Sequence, residues 1–474
     1  MPRIVIIGAG FGGLAAAIEL KKAGHTDLTI VEKATQVGGV WRENSYPGAG
    51  CDVPSPLYSF SHRPNPHWPW RYSRQAEILQ YLQDTAFAYD LRPHLRLGTE
   101  VTEATHVDGR WVVRLAGGEV LEADVLVPAL GQLSRPAFPD IPGQYKFQGH
   151  HFHSAIWDHN HDLTGKRVAV IGTGASSIQF VPQIAKVAGN VTVFQRSAAW
   201  IVPKPEVRYP RWQQSLYAKL PFAQRVERNV IWGLVEFLNM GMTGSKTIKN
   251  AWEWQARRHM RKQVPDPELR AKLTPDYEFG CKRVLFSNNY LPTMSLPTVD
   301  LVTDKITEIT ETGVLTSDGV QHEFDVIIYG TGFSTQDFLG SVEIKGTDGS
   351  SLREVWARGA HAYLGMAVPK FPNMFLMYGP NTNLGAGSII FMLERQARYI
   401  RKALRAAKGR ALEVRPEVSA KFDAEMQQRL GESVWARCDS WYRNSQGRVV
   451  NNWPGLVTEY ARRLFRFRRG DYQG

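Results

Sequence analysis

The chain has 474 residues, enough for roughly three domains, and its 43% hydrophobic and 22% charged content is that of a globular protein with large cores. The 57 basic against 45 acidic residues leave a net charge of +12, which suits phosphate-bearing partners, yet no recognised nucleic-acid module accompanies it. The longest apolar stretch, near 230–242, is too short and too polar to span a bilayer, and no secretory leader is expected. Three cysteines, Cys51, Cys281 and Cys438, form no C-x-x-C pair. They predict free thiols in a reducing, cytoplasmic setting and argue against a disulfide reductase.

Residues 4–7 are a short β-rich run that opens into G-A-G-F-G-G, with Gly8, Gly10 and Gly13 in the G-x-G-x-x-G positions. A helix is expected over 14–23 and a second strand over 28–31, ending at Glu32. In that register the glycines allow a tight turn, close approach of a pyrophosphate and close helix packing. The helix N-terminus offers backbone N–H groups to the pyrophosphate. Glu32 would accept hydrogen bonds from a ribose diol and repel a 2′-phosphate. Residues 111–115, the Gly117-Gly118 turn and the run from Val120 predict a hairpin. A strand follows over 124–127, ending at Gly131, and Pro136, Pro139 and Pro142 mark the exit from this unit.

The plan then repeats. Arg167 to Ile171 reads as a strand and opens into Gly172-Thr173-Gly174-Ala175-Ser176-Ser177. After a helix and a strand over 191–194, the acid is missing and Arg196 stands just beyond. An Arg can pair with the 2′-phosphate that a carboxylate rejects. FAD on the first unit and NADPH on the second satisfy both. Later, 325–328 ending at Gly332 echoes 124–127 ending at Gly131. The expected fold class is therefore α/β, two Rossmann-like dinucleotide-binding domains with a helical insertion. The boundaries are 1–142 and 336–474 for the FAD domain, 143–202 and 281–335 for the NADP domain, and 203–280 for the insertion. Most of the insertion's tryptophans, Trp212, Trp232, Trp252 and Trp254, are read as core. A long helix is expected after Gly387-Ser388. The arginines from Arg462 to Arg469 read as a solvated helix end or tail, with weak membrane association left open.

Several segments resemble one family. Residues 147–158, with Phe147, Gly149, His153 and Trp157, match F-x-G-x-x-x-H-x-x-x-W-D, and Gly39, Trp41, Tyr46, Pro47, Gly48 and Asp52 match a second pattern. The loop Gly280-Cys281-Lys282-Arg283 and the segment Ser440-Trp441-Tyr442 match two more. Gly330-Thr331-Gly332-Phe333 resembles A-T-G-F with Gly in place of Ala. The chain thus resembles the Baeyer–Villiger monooxygenases, flavoenzymes that insert oxygen beside a ketone carbonyl. A metal site at His150, His151 and His153 does not fit the usual ligand spacings.

The resemblance implies an FAD- and NADPH-dependent enzyme that turns ketones into esters or lactones with O2, through a C4a-peroxyflavin. It implies Arg283 as the catalytic cation and Asp52 as its orienter. It also implies cofactor contacts from Val40, Trp41, Asp52, Tyr58, Val101, Gln179, Ser197, Lys282, Arg283 and Trp441, beside the loop residues already named. A guanidinium suits the task because it stays charged and can hold an oxyanion. Asp52 is expected to hold Arg283 through a paired hydrogen bond. Two other readings remain open at this level: a flavin-containing monooxygenase acting on sulfur or nitrogen, and a flavin-binding redox protein without turnover. The partners expected are a small ketone and O2, with neither nucleic acid nor stable membrane insertion. The sequence does not fix the oligomeric state.

Overall fold

The computed structural model describes residues 1–437 and 440–474, so the thiol expected at Cys438 lies outside the described residues. Strand β1 (Ile4–Ile7) is wholly buried and runs into helix α1 (Phe11–Lys22). Strands β2 (Leu28–Val31), β3 (Leu95–Arg96) and β4 (Val125–Pro128) complete a parallel sheet of order β3-β2-β1-β4. Buried runs of Ile, Leu and Val are what strands covered on both faces require. Helix α1 starts directly after Gly10, three residues before the expected start, because the glycine loop itself begins the helical turn.

The second sheet is also parallel. It contains β5 (His150–His153), β6 (Arg167–Ile171), β7 (Asn190–Phe194), β8 (Val299–Val302) and β9 (Val326–Tyr329), in the order β8-β7-β6-β9-β5. Helix α2 (Ser177–Ile184) follows β6. Between β7 and β8 lie α3 (Arg211–Lys219), α4 (Pro221–Met242), α5 (Lys246–Gln263) and α6 (Pro267–Lys272). Pairing of Ile201 with Leu285 and Val202 with Phe286 closes their stem. Helix α7 (Ile389–Ala407) returns to pack along α1, and α8 (Val457–Arg463) packs on α7.

The insertion departs from its expected core. Trp212 and Trp254 are 68% and 58% exposed, and Trp232 and Trp252 are half-buried. Four helices beside a finished sheet give these rings one protein face and leave the other outward.

The two glycine loops are built alike with one exchange of volume. Gly8 and Gly172 share a φ of +105°, and a Cβ on either would stand 2.6 Å from a carbonyl oxygen, of Ala129 or Gly330 respectively. A Cβ on Gly13 would overlap the carbonyl oxygen of Gly8. The second loop has Ser177 at the third position, and there a Cβ on Gly330 would overlap the Ser177 hydroxyl. This explains why glycine replaces alanine in Gly330-Thr331-Gly332-Phe333. Gly330→Ala is expected to cost about 1–3 kcal/mol from overpacking. In urea unfolding, Ser177→Gly should recover most of that loss, and additive losses would show that the two positions do not share the space.

The 147–158 segment lies where the two sheets are joined. The crossings 135–137 and 332–334 pair through Ala137 N–H to the Gly332 carbonyl (2.9 Å) and Ser334 N–H to the Arg135 carbonyl (3.0 Å). His153 packs edge-on against Phe138 and Phe333 there, and burial pushes its pKa down to about 4, so the ring is neutral. Trp157 packs on Phe152 and Phe180, and Tyr46 meets Phe180 from the first unit. The segment braces the junction of the two units and contributes no cavity wall.

Candidate active site

A cavity of about 1650 Å³ runs between the two glycine loops. Its walls include Gly8, Gly10, Glu32, Gly39, Val40, Trp41, Asp52, Tyr58 and Val101 from the first unit. Gly172, Thr173, Gly174, Ala175, Ser176, Gln179, Arg196, Ser197, Lys282, Arg283 and Trp441 complete the expected set. Gly13 and Ser177 do not reach the cavity; both sit where helix meets strand, and their task is close packing.

At the first loop, α1 begins at Gly10 without a side-chain cap, so its first N–H groups are open to an anion. Glu32 is buried and accepts from the N–H of Ala9 (2.8 Å) and Ala34 (3.0 Å), with Arg42 3.3 Å away. A carboxylate has about four lone-pair sites, and with Arg42 also donating to Oε1 one remains, on Oε2, for a ribose hydroxyl. Trp41 donates its indole N–H to the Tyr58 hydroxyl (3.0 Å), and both rings border the cavity. The N-terminus of α7 reaches the cavity at Ile389, and the Ser388 hydroxyl is anchored on the Leu57 carbonyl (3.1 Å). Its dipole favours negative charge at that wall. These features fit an FAD.

At the second loop, Thr173 donates to the Ser197 carbonyl (3.1 Å), and Lys282 donates to the Ser197 hydroxyl (2.9 Å). Gln195 follows β7 in the place of the acid and spends its amide N–H on the Lys272 carbonyl (2.7 Å). Arg196 beside it is exposed and makes no hydrogen bond or ion pair among the described residues. An unpaired guanidinium beside a Ser–Lys pair fits a 2′-phosphate. Gln179, expected as a cofactor contact, lines the cavity and has a second task. Its amide accepts from the Tyr46 hydroxyl (3.0 Å) and the Gly50 N–H (3.2 Å) and donates to the Gly50 carbonyl (3.1 Å). It clasps the two units together with both ends in use.

Arg283 is the central cation. Its side chain is 46% accessible because it borders the cavity. Burial opposes its charge, but Asp52 first, then Tyr442 and Tyr378, hold its pKa above the ordinary value. Asp52 is buried, with Arg283 Nη2 at 3.7 Å and Lys204 Nζ at 3.5 Å. The expected paired hydrogen bond from Arg283 is therefore not formed. The Asp52 carboxylate instead lies between two cations as an ion pair, and its Oδ1 has no hydrogen-bond partner among the described residues.

The sequence reading missed Lys204 and Tyr378, and named Tyr442 only within its motif, with no role beside Arg283. Lys204 stands in Val202-Pro203-Lys204-Pro205, where each proline limits the backbone, and that bracketing was the available signal. Tyr378 holds a φ of +59° and donates to the Asn383 side chain (2.8 Å). No feature of sequence spacing marks it. The cysteines divide. Cys51 is free and buried, and burial pushes its thiol up to about 12, so it stays protonated. Cys281, beside Lys282 and Arg283, is disulfide-bonded, which corrects the expectation of free thiols at that position. No cluster of metal-ligating side chains occurs among the described residues.

Residues 5–220 match the family described as pyridine nucleotide-disulphide oxidoreductase. The chain is 42% identical over 99% of its length, and 92% of the relative's, to a Baeyer–Villiger monooxygenase of Streptomyces coelicolor. It is 40% identical to a Baeyer–Villiger monooxygenase of Pseudomonas aeruginosa, over 97% and 88% of the two chains. Among solved structures, an oxidised steroid monooxygenase bound to NADP superposes with a TM-score of 0.87 at 32% identity, over 98% and 97% of the two chains. The OTEMO complex with FAD and NADP gives a TM-score of 0.88 at 27% identity, over 100% and 99%.

Proposed function

This chain belongs to the Baeyer–Villiger monooxygenases, and from that premise we propose how its residues carry the reaction. It is an FAD- and NADPH-dependent monooxygenase of the two-dinucleotide-domain fold. One ketone, O2, NADPH and a proton give one ester or lactone, NADP+ and water. Bound FAD and NADPH supply the hydride and the activation of O2.

The residues do the rest. Glu32 and the α1 N-terminus hold the FAD ribose and pyrophosphate, while Trp41 and Tyr58 pack at the flavin side of the cavity. Arg196 pairs with the 2′-phosphate of NADPH, with Lys282 and Ser197 beside it. Arg283 faces the cavity between the two cradles, and that single placement carries the proposal. When the ketone carbonyl carbon is attacked, its oxygen becomes an oxyanion, and a fixed guanidinium stabilises that charge better than water does. Asp52 positions Arg283 and is shared with a second cation, Lys204. The substrate is a small ketone, and we place the reaction in the cytoplasm, where NADPH is supplied.

The test is product mass from a panel of aryl ketones, cyclic ketones and an aryl sulfide. Products one oxygen heavier than the ketones establish the reading. Sulfoxide alone, or NADPH loss without product, defeats it. The cofactor assignment has its own test. Arg196→Ala removes the charge-assisted pair to phosphate, worth about 1.5–3 kcal/mol. The preference for NADPH over NADH, read as a ratio of kcat/KM, should fall about 10- to 100-fold. An unchanged ratio would mean that another residue reads the phosphate.

A further inference from the structure

Helix α4 is 22 residues long, begins at Pro221 and shows the solvent a face that no packing explains. Phe222, Val226, Val230, Leu234, Phe237 and Met240 are all exposed, from 41% to 74%. At 100° per residue they fall within an arc of about 120°, over a helix about 33 Å long. The other exposed position in that arc is Gly233, so it carries no charge, and Asn229 and then Arg225 stand just outside it. The helix's two acidic side chains are turned elsewhere. Glu227 accepts from the hydroxyls of Tyr209 (2.8 Å) and Tyr217 (2.7 Å), and Glu236 accepts from the N–H groups that open α8.

The arc is bordered by cations. On the Asn229 side lies an open groove of about 380 Å³ formed by α4, α7 and α8. Arg228, Arg395 and Arg462 line it together with Trp232, Phe391 and Phe465. Arg462 is exposed at the rim and Arg395 is half-buried, whereas Arg228 is turned inward and donates to the carbonyls of Pro56 and Ser59. Helix α5, packed against α4, exposes Lys246, Arg257, Arg258, Arg261 and Lys262 with Trp254. Its one acidic residue, Glu253, is bonded to Arg257. An uncharged apolar ridge flanked by arginines and tryptophans has the composition of a helix that lies in a membrane interface. Large exposed apolar patches mark an interaction surface.

We infer that α4 and the groove beside it form a docking surface for an anionic phospholipid bilayer, with the ridge among the acyl chains and the arginines on the lipid phosphates. Charge decides between this occupant and a second copy. Apposing two copies through the ridge would bring the arginines of the groove and of α5 toward their like in a protein of net charge +12. A bilayer of anionic headgroups meets both the apolar ridge and its cationic border. No helix among the described residues is long and apolar enough to cross a membrane, so the association is peripheral. The opposite edge of the ridge, at Leu234, also lines the large cavity. The inference stands without the ketone reading, because binding is measured without turnover.

The test is co-sedimentation of the FAD-loaded protein with vesicles of phosphatidylglycerol and phosphatidylcholine, against phosphatidylcholine alone. Binding to the anionic vesicles, weakened by salt, is expected. The double substitution Val230→Asp with Phe237→Asp should lower that binding at least about tenfold, and Arg462→Glu should lower it less. Both variants must keep the flavin absorbance and melting temperature, which their exposed positions favour; Arg395→Glu is a second groove variant if Arg462→Glu does not fold. No binding to anionic vesicles overturns the inference. So does binding that the ridge variants leave unchanged, or a solution dimer that Val230→Asp with Phe237→Asp converts to monomer.

Discussion

Arg283→Ala is expected to lower ester or lactone formation about 10²- to 10³-fold, the usual cost of removing one oxyanion donor. Arg283 borders the cavity, while Asp52 at 3.7 Å and Lys204 beyond it form its supporting row. Loss of the guanidinium leaves one cation on the Asp52 carboxylate, so the buried charge stays compensated and the fold should survive. The loss should therefore appear in kcat with little change in melting temperature or flavin retention. Arg283→Lys keeps the charge but loses the planar fork, and should fall between the two. Anaerobic bleaching of the flavin by NADPH separates the steps. The 2′-phosphate grip at Arg196 is untouched, so bleaching should fall far less than product formation. Full ketone turnover by Arg283→Ala would remove Arg283 from the chemistry and leave the proposal without its oxyanion site.

How much of this was legible in the sequence follows from the range of the interactions. The glycine loops, their strands and the acid-to-Arg change at the second loop are local patterns, and a local pattern is set by neighbours in the chain. Both parallel sheets could be anticipated from them. Asp52 and Arg283 could be named only by resemblance, since 231 positions separate them and nothing in their spacing says that they meet. Their actual geometry, an ion pair shared with Lys204, lay further out of reach because Lys204 comes from a third segment. Gln179 shows the same limit. A glutamine just inside a dinucleotide helix reads as a cofactor contact, and its clasp on the 46–50 loop is a further task that only the folded chain reveals. The tryptophans of the insertion were misread because burial depends on what else packs there, and helical spacing alone does not show how many faces are covered.

Gly13→Ala is expected to be the most damaging single methyl in the first unit. A Cβ there would overlap the Gly8 carbonyl oxygen, and Gly8 is itself held at a φ of +105° with the Ala129 carbonyl close by. Neither atom is the end of a flexible side chain, so the helix must move away from the strand. Overpacking of this kind costs about 3 kcal/mol or more when backbone has to shift. The shift also withdraws the α1 N–H groups from the pyrophosphate, so flavin retention and stability should fall together. The second unit supplies the control. Ser177 already stands at the matching position, because Gly330 leaves room for it. Ser177→Ala only deletes a buried hydroxyl that has no hydrogen-bond partner among the described residues. It should change stability by less than about 1 kcal/mol. Equal losses for Gly13→Ala and Ser177→Ala, read from thermal melts and flavin absorbance, would mean that the first loop tolerates the same exchange. The glycine at 13 would then answer to the flavin alone and not to the helix–strand contact.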